Sequence, residues 1–119
     1  MSDIIVQKFG GTSVGSDERI SAVAEIIKQA NDKERVVVVV SAMSGETNRL
    51  IGLAKTFGDN PDTREFDALI STGEKVSASL LAMALSSIGI KAKSFSASQI
   101  SMKTTNQHSK AKIIDIDGD

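Results

Sequence analysis

The feature that most constrains the fold of this chain is a run of five consecutive valines at residues 36–40. A strand with one buried face alternates apolar and polar residues, but this run is apolar toward both faces. Strands of this kind are typical of a parallel sheet with helices on both faces, and the same run left exposed would promote aggregation. The valines therefore predict an α/β fold with helical layers on both sides of its sheet.

Strand and helix patterns continue on the N-terminal side of this run. Residues 4–9 predict a first strand, which ends at Gly10-Gly11. Ser16 has the position of a helix N-cap, and two acidic residues follow it where they complement the helix dipole. Apolar residues at spacings of three and four then predict one buried helix face, formed by Ile20, Val23, Ile26, Ile27 and Ala30.

The same alternation predicts the remaining elements. An apolar stripe over residues 50–57 predicts a second helix that stops at Gly58, and Asp62-x-x-Glu65 has the form of a capping box. A third helix then begins, with a predicted break at residues 71–73 and an end at Gly89. Its expected buried stripe consists of Val76, Leu80, Leu81, Met83, Ala84 and Ile88. Residues 90–95 and 113–116 are weaker strand predictions, and the whole pattern predicts a layered α/β/α fold with a mainly parallel sheet.

Composition limits the classes of function. The 119 residues carry 14 basic and 15 acidic side chains, so no net field attracts nucleic acid or an anionic membrane. Cysteine is absent and His108 is the single histidine, which argues against disulfides, thiolate chemistry and a metal site. No targeting pattern opens the chain, and no aliphatic run approaches the ~20 residues of a membrane span. We therefore expect one domain over residues 1–119, in a cytoplasmic protein that binds neither nucleic acid nor membrane.

A glycine turn between the first strand and the first helix is the strongest candidate for a binding site. Backbone N–H groups of such a turn approach phosphate closely, and Lys8 adds a positive charge beside them. Gly10 and Gly15 have P-loop spacing, but Ser16-Asp17 follows where that motif needs Lys-Ser/Thr. Thr12 stands where a Rossmann turn has its second glycine. A phosphate site here is therefore of another type, and a plain strand-to-helix turn is the alternative.

Three segments together resemble one known family. Lys8-Phe9-Gly10-Gly11-Thr12-Ser13-Val14 resembles the N-terminal signature of aspartokinases, in the amino acid kinase family. Residues 38–48, Val-Val-Val-Ser-Ala-Met-Ser-Gly-Glu-Thr-Asn, resemble its second segment, and Ser71-Thr72-Gly73-Glu74 its third. The resemblance runs over essentially the whole chain, and it implies the N-terminal, acceptor-binding part of an amino acid kinase domain.

The resemblance also implies a reaction. Aspartokinases transfer the γ-phosphoryl group of ATP, used with Mg²⁺, to the β-carboxylate of L-aspartate, which is the first step toward lysine, threonine and methionine. A carboxylate with a pKa of about 4 is already ionised at neutral pH, so the nucleophile needs no general base. The reaction needs instead neutralisation of the charge between two anions. The family further implies a homo-oligomer for the full-length enzyme.

Residue roles follow from the same resemblance. Lys8 is the implied catalytic residue, and the implied ATP and phosphate contacts are Lys8, Phe9, Gly10, Gly11 and Ser41. Thr47 and Glu74 are the implied aspartate contacts, with Glu74 beside the α-ammonium group. The structural alternatives are a strand-end lysine, a turn serine, an N-cap threonine and an exposed helix glutamate. Solvated surface positions are the simpler interpretation of Arg49, Arg64 and Glu65, and a polar loop that of His108.

Two segments that the family also carries, Gly-Arg-Gly-Gly-Ser-Asp and Thr-Thr-Asp-x-Asp-Gly, do not occur in this sequence. Because they help to hold aspartate, phosphate and nucleotide, we expect the chain to be inactive alone. Another amino acid kinase, acting on glutamate or a different small acid, would share Lys8 and the glycines. A non-catalytic module that binds aspartate or regulates a complete kinase is the third interpretation.

Overall fold

The computed structural model describes residues 3–96, 102–104 and 113–116. In chain order the strands and helices are β1 (Ile4–Phe9), α1 (Asp17–Asn31), β2 (Arg35–Val40), α2 (Glu46–Ala54), α3 (Thr63–Ser87), β3 (Met102–Thr104) and β4 (Ile113–Ile116). A short 3-10 turn, Lys55–Phe57, extends α2. The helices and the first two strands overlap the predicted segments, and β3 was not predicted.

The central pair of strands is parallel, as the valine run predicts. β1 and β2 pair in register from Ile4 opposite Arg35 to Phe9 opposite Val40, with α1 as the crossover between them. The α/β class is therefore confirmed. β3 and β4 form a separate antiparallel pair, so the strand predicted at residues 113–116 is also confirmed.

The strand predicted at residues 90–95 is wrong, because this segment belongs to no sheet. Its first N–H, on Ile90, donates to the carbonyl oxygen of Leu85 at 3.0 Å. Gly89 has a left-handed φ of 87°, which turns the chain so that this bond closes the end of α3. The start of the segment therefore completes a helix end.

The core lies on one face of the parallel pair. The half-buried side chains of β2 and Phe9 of β1 pack under α1 and α3. The buried cluster consists of Val14, Ile20, Val23, Ala24, Ile27, Leu81 and Leu85. The predicted stripe of α1 is confirmed at Ile20, Val23 and Ile27, whereas Ile26 is exposed.

The opposite face of the pair is bare within the described residues. Ile4 and Val6 of β1 and Val37 and Val39 of β2 form this bare sheet face, and Val6 is 64% exposed. In the part of the chain that the structure describes, one of the two predicted helical layers is therefore present. The valines are apolar toward both faces, but both helices that pack on the pair, α1 and α3, lie on the same side.

α3 is continuous over 25 residues, so the break predicted at residues 71–73 is wrong. The hydroxyl groups of Ser71 and Thr72 donate to carbonyl oxygens one turn earlier, at 2.9 and 2.6 Å, and are satisfied inside the helix. The predicted buried stripe is confirmed at Leu81, Ala84 and Ile88, which lie in the core or pack against it. It is wrong at Val76, Leu80 and Met83, which are exposed. The residues that face the core follow a spacing of four: Gly73, Ser77, Leu81 and Leu85.

The length and apolar composition of α3 would also allow it to cross a membrane. The same properties are typical of core helices, and Leu81 and Leu85 of α3 do lie in the core. Its apolar residues surround most of the helix, which explains why their spacing did not single out the buried face.

Helix starts agree well with the sequence. The side chain of Ser16 accepts a hydrogen bond from the N–H of Arg19 at 3.2 Å, as an N-cap does. The carboxylate of Asp62 accepts one from the N–H of Glu65 at 3.0 Å. The predicted capping box is only half formed, because the carboxylate of Glu65 pairs with Arg64 at 2.7 Å.

Candidate functional site

The carboxyl ends of β1 and β2 bring two loops together at one edge of the sheet. The carbonyl oxygen of Phe9 accepts a hydrogen bond from the N–H of Ser41 at 3.2 Å. Two residues further on, the carbonyl oxygen of Gly11 accepts one from the N–H of Ser44 at 3.0 Å. The glycine turn after β1 is thus tied to the loop after β2, at the edge where α/β sheets commonly bind ligands.

Gly11 is required by this close approach. A β-carbon at Gly11 would lie 2.9 Å from the carbonyl oxygen of Ala42, a backbone atom that cannot rotate away. Within the turn, the N–H of Ser13 donates to the carbonyl oxygen of Gly10 at 3.1 Å. The N–H groups of Gly11 and Thr12 donate to no acceptor among residues 3–96, which leaves them available to an anion.

The side chains of Lys8 and Phe9 lie on opposite faces of β1. Lys8 pairs in register with Val39, lies on the bare sheet face and is exposed. It makes no ion pair with any residue of the described ranges, so its charge is uncompensated beside the glycine turn. The side chain of Phe9 packs against the core cluster, so only its backbone remains at the edge.

The start of α2 lies beside the same loop. Gly45 occupies the N-cap position with φ of 83° and offers no side chain to cap the first N–H groups. Thr47 lies in that first turn and is exposed, so the alternative of an N-cap threonine is excluded. The N–H of Glu46 donates to the carbonyl oxygen of Met43 at 2.9 Å. The N–H groups of Thr47 and Asn48 have no acceptor among residues 3–96, which makes this a favourable position for an anion.

An ion pair borders Thr47. The guanidinium of Arg49 donates to both carboxylate oxygens of Glu46, at 2.6 and 3.0 Å. The hydrogen bond from Arg49, with its positive charge, holds the pKa of Glu46 below its usual value, and the pair raises the pKa of Arg49. Arg49 is therefore engaged with Glu46, in agreement with its interpretation as a surface residue.

α3 packs on the loop after β2 through Gly73 and Ser77, neither of which belongs to the predicted buried stripe. At Gly73 a β-carbon would lie 3.0 Å from the β-carbon of Ala42. Ser77, fully buried, donates from its hydroxyl to the carbonyl oxygen of Ser41 at 2.6 Å. Glu74 lies between them along the helix and is exposed. The signal that identifies both is a spacing of four residues, from Gly73 to Ser77 and from Ser77 to Leu81.

The structure thus gathers most of the predicted site residues around one sheet edge. Lys8, Gly10, Gly11 and Ser41 lie at or next to the strand ends, and Thr47 and Glu74 lie on the two helices that adjoin the following loop. Arg64 and Glu65 pair with each other at the start of α3. Nine residues of helix separate Glu65 from Glu74, or about 13 Å. The prediction for His108 lies outside the described residues.

Two shallow grooves lie elsewhere, at the far end of α2. One of about 330 Å³ runs between the end of α2 and the start of α3, and its lining includes Phe57, Pro61 and Phe66. A second groove shares Pro61 and Phe66. Neither is lined by a predicted site residue. Among the described residues, no group of three His, Asp or Glu side chains is placed to hold a metal ion.

Comparisons with curated proteins find close relatives. An aspartate kinase of Stutzerimonas stutzeri is 55% identical over 115 residues, which is 96% of this chain and 28% of the relative. The aspartokinase of Pseudomonas aeruginosa is 54% identical and that of Geobacillus stearothermophilus 51%, over the same shares. This chain therefore spans a little over a quarter of the length of the relatives it matches.

Solved structures agree with this likeness. The aspartate kinase of Synechocystis superposes with a TM-score of 0.78 at 51% identity, over 82% of this chain and 17% of that one. E. coli aspartokinase III, in complex with aspartate and ADP, superposes with a TM-score of 0.82 at 22% identity, over 94% of this chain and 35% of that one. At that identity the second match is evidence for the fold alone. The model of the amino acid kinase family matches residues 3–117, and we conclude that this chain belongs to that family.

Proposed function

We propose that this chain is the phosphate- and acceptor-binding part of an aspartate kinase. The observation that carries the proposal is the convergence of Lys8, the glycine turn and the loop after Ser41 on one sheet edge. It occurs in a chain 55% identical to an aspartate kinase over 115 residues. Because the chain spans 28% of that relative, the rest of the enzyme would supply the remainder of the site.

The phosphate half of the proposed site is formed by β1 and the turn after it. The N–H groups of Gly11 and Thr12 and the ammonium of Lys8 have no partner among the described residues, and they suit the oxygens of a transferring phosphoryl group. Gly10 and the backbone of Phe9 border the same turn. Ser41 follows the next strand, and its backbone N–H donates to the carbonyl oxygen of Phe9. Its hydroxyl makes no hydrogen bond with the described residues and would contact a ligand. In this proposal Lys8 neutralises charge that grows as the two anions approach.

The acceptor half is formed by the two helices. Thr47, in the uncapped first turn of α2, would bind a carboxylate of aspartate. The exposed carboxylate of Glu74 would pair with the α-ammonium group, an interaction that selects an amino acid over a simple dicarboxylate. The β-carboxylate is ionised at neutral pH and attacks without a general base.

ATP fits this edge as the phosphoryl donor, and E. coli aspartokinase III was solved with aspartate and ADP. The described residues offer no acidic cluster for Mg²⁺. We therefore propose that the ion arrives bound to the phosphates of the nucleotide. A homo-oligomer and a cytoplasmic location, expected from the family, remain part of the same proposal.

A hybrid enzyme tests the proposal directly. In this hybrid, the present chain replaces the matching 115-residue segment of the P. aeruginosa aspartokinase, which is 54% identical. We expect ADP release that depends on L-aspartate, and an acyl phosphate that hydroxylamine traps. Glutamate, tested in parallel, should be a poor acceptor. A folded hybrid that prefers glutamate would assign the chain to another amino acid kinase, and one that transfers to neither would favour a binding or regulatory module.

A further inference from the structure

We infer that Ser77 is a positioning residue that fixes the two halves of the proposed site relative to each other. The inference rests on the proposed function, because it assigns the phosphate contact to the region of Ser41 and the ammonium contact to Glu74. Ser77 touches neither substrate in this scheme. It acts through the backbone of the two residues that do.

The burial of Ser77 is unusual for a hydroxyl residue. Its exposure is 0%, and it is the one polar residue classed as buried among those that the structure describes. Its hydroxyl donates to the carbonyl oxygen of Ser41, 36 residues away in sequence, at 2.6 Å. Burying a hydroxyl costs free energy unless it is hydrogen-bonded. The bond to Ser41 offsets the free-energy cost of burying the hydroxyl of Ser77.

The bond places Ser77 between the two proposed contacts. Its oxygen is 2.6 Å from the carbonyl oxygen of Ser41 and 3.2 Å from that of Glu74. The N–H of Ser41 is held from the other side by Phe9 at 3.2 Å. The backbone of Ser41 is therefore fixed between β1 and α3, and the helix turn that carries Glu74 is fixed to Ser41.

The close packing of α3 makes this bond possible. One turn before Ser77, Gly73 has no side chain, and the helix reaches the loop at Ala42. On the other side of Ser77, Leu81 and Leu85 anchor the helix in the core. Among the buried residues of α3, Gly73, Ser77, Leu81 and Leu85, Ser77 is thus the one that bonds the loop through a polar side chain.

This arrangement predicts a specific kinetic effect. Phosphoryl transfer depends on holding donor and acceptor in line, and a displacement of 1 Å can lower the rate about a hundredfold. Each substrate keeps its own contacts when the bond to Ser41 is removed, so each binds with little change. The loss of Ser77 should therefore lower kcat and leave both KM values nearly unchanged.

The test uses Ser77→Ala in the hybrid enzyme, because alanine suits a helix interior and removes only the hydroxyl. We expect kcat to fall on the order of ten- to a hundredfold. Both KM values should stay within about twofold of the parent. The kinetics are measured well below the melting temperature, and kcat is normalised to the amount of folded protein. The control is Ser87→Ala, on the same helix but away from the site. The hydroxyl that it removes donates to the carbonyl oxygen of Ala84 at 2.6 Å. Ser77→Thr, which restores a hydroxyl, should recover part of the lost kcat.

Several outcomes would overturn the inference. A kcat within about twofold of the parent, or an equal rise of both KM values with kcat unchanged, would make Ser77 a packing residue only. If Ser77→Ala does not fold, Ser77→Cys keeps the side-chain size with a much weaker donor, and the same two criteria apply to it. These results require an active parent hybrid. A folded parent that does not phosphorylate aspartate would refute the proposed function first, and this inference with it.

Discussion

Gly73 of α3 and Ala42 of the loop after β2 lie so close that a β-carbon on Gly73 would come within 3.0 Å of the β-carbon of Ala42. The same added atom would lie 3.4 Å from the side chain of Leu50. Leu50 can rotate, but the β-carbon of Ala42 moves only with its backbone. The separation between helix and loop is therefore set by the absence of a side chain at Gly73.

Gly73→Ala should destabilise the fold. Alanine favours a helix interior by about 1 kcal/mol over glycine, but overpacking in a rigid contact costs about 1–3 kcal/mol. We expect a net loss of about 1 kcal/mol, seen as a lower melting temperature of the hybrid. Because α3 must shift from the loop, kcat should also fall.

Gly52→Ala is the matched control for this change. Gly52 also lies inside a helix, but a β-carbon there would meet nothing within 4 Å. The substitution should raise stability by up to about 1 kcal/mol and leave kcat unaltered. Equal effects of the two substitutions would show that helix propensity, and not the contact with Ala42, decides the result.

Sequence patterns predicted the elements better than their contacts. The valine run, Ser16 and Gly89 each act locally, through β-branching, a cap or a left-handed turn, and the structure confirms the strand, the helix start and the helix end that they predicted. Which face of α3 is buried depends instead on where this helix contacts the sheet and the loop after β2. Hydrophobic spacing favoured Val76 and Met83, whereas the contact with the loop requires the small residues Gly73 and Ser77.

The candidate site shows the same division. The motifs placed Lys8 and Ser41 at strand ends, because strand ends follow from local pattern. The predicted break placed Glu74 at a helix start, because Ser71 and Thr72 have low helix propensity. Glu74 lies mid-helix instead, and the hydroxyl groups of Ser71 and Thr72 donate to carbonyl oxygens within the same helix. The bond from Ser77 to Ser41 spans 36 residues, and such long-range contacts leave no periodic signal.

Gln7→Met should stabilise the protein. The side-chain oxygen Oε1 of Gln7 is buried on the covered side of β1 and has no hydrogen-bond partner among the described residues. An unsatisfied buried polar group costs about 1–3 kcal/mol, and methionine has a similar size without that group. We expect a rise of about 1 kcal/mol in the free energy of unfolding. Gln29→Met, on the exposed side of α1, should have almost no effect.

Lys8→Ala should lower kcat of the hybrid and leave the KM for aspartate nearly unchanged. The ammonium group would stabilise the negative charge of the phosphoryl oxygens most strongly in the transition state. Its removal should therefore cost about 2–4 kcal/mol of transition-state stabilisation. Lys33→Ala removes an equally exposed lysine beyond the end of α1 and is the control. If Lys8→Ala keeps more than half of the parent kcat, Lys8 has no part in the transfer.

Glu74→Gln should raise the KM for aspartate far more than the KM for ATP. A charge-assisted hydrogen bond to the substrate ammonium becomes a neutral one of about half the strength, which corresponds to a rise of roughly tenfold. Glu25→Gln on the exposed side of α1 is the control for loss of one negative charge. A similar rise of both KM values would instead assign Glu74 a purely structural role.

The 119-residue chain by itself should release no measurable aspartate-dependent ADP and should self-associate. It provides Lys8 and the glycine turn, but the relatives that phosphorylate aspartate are more than three times as long. The bare sheet face leaves Val6 64% and Val37 50% exposed, opposite each other in register. An apolar patch of this kind favours contact between copies.

Sedimentation velocity of the isolated chain should therefore show species larger than a monomer. Val6→Glu combined with Val37→Lys places opposite charges directly across the strand pair, which keeps the pairing and removes the apolar patch. These substitutions should shift the chain toward monomer, whereas Phe57→Ser, at a side chain 97% exposed near the far end of α2, should not. Aspartate-dependent turnover should appear only when the remaining segment of the P. aeruginosa relative is added. Robust turnover by the chain alone would contradict the division of the site between two segments, because phosphoryl transfer would then need no further groups to hold the nucleotide.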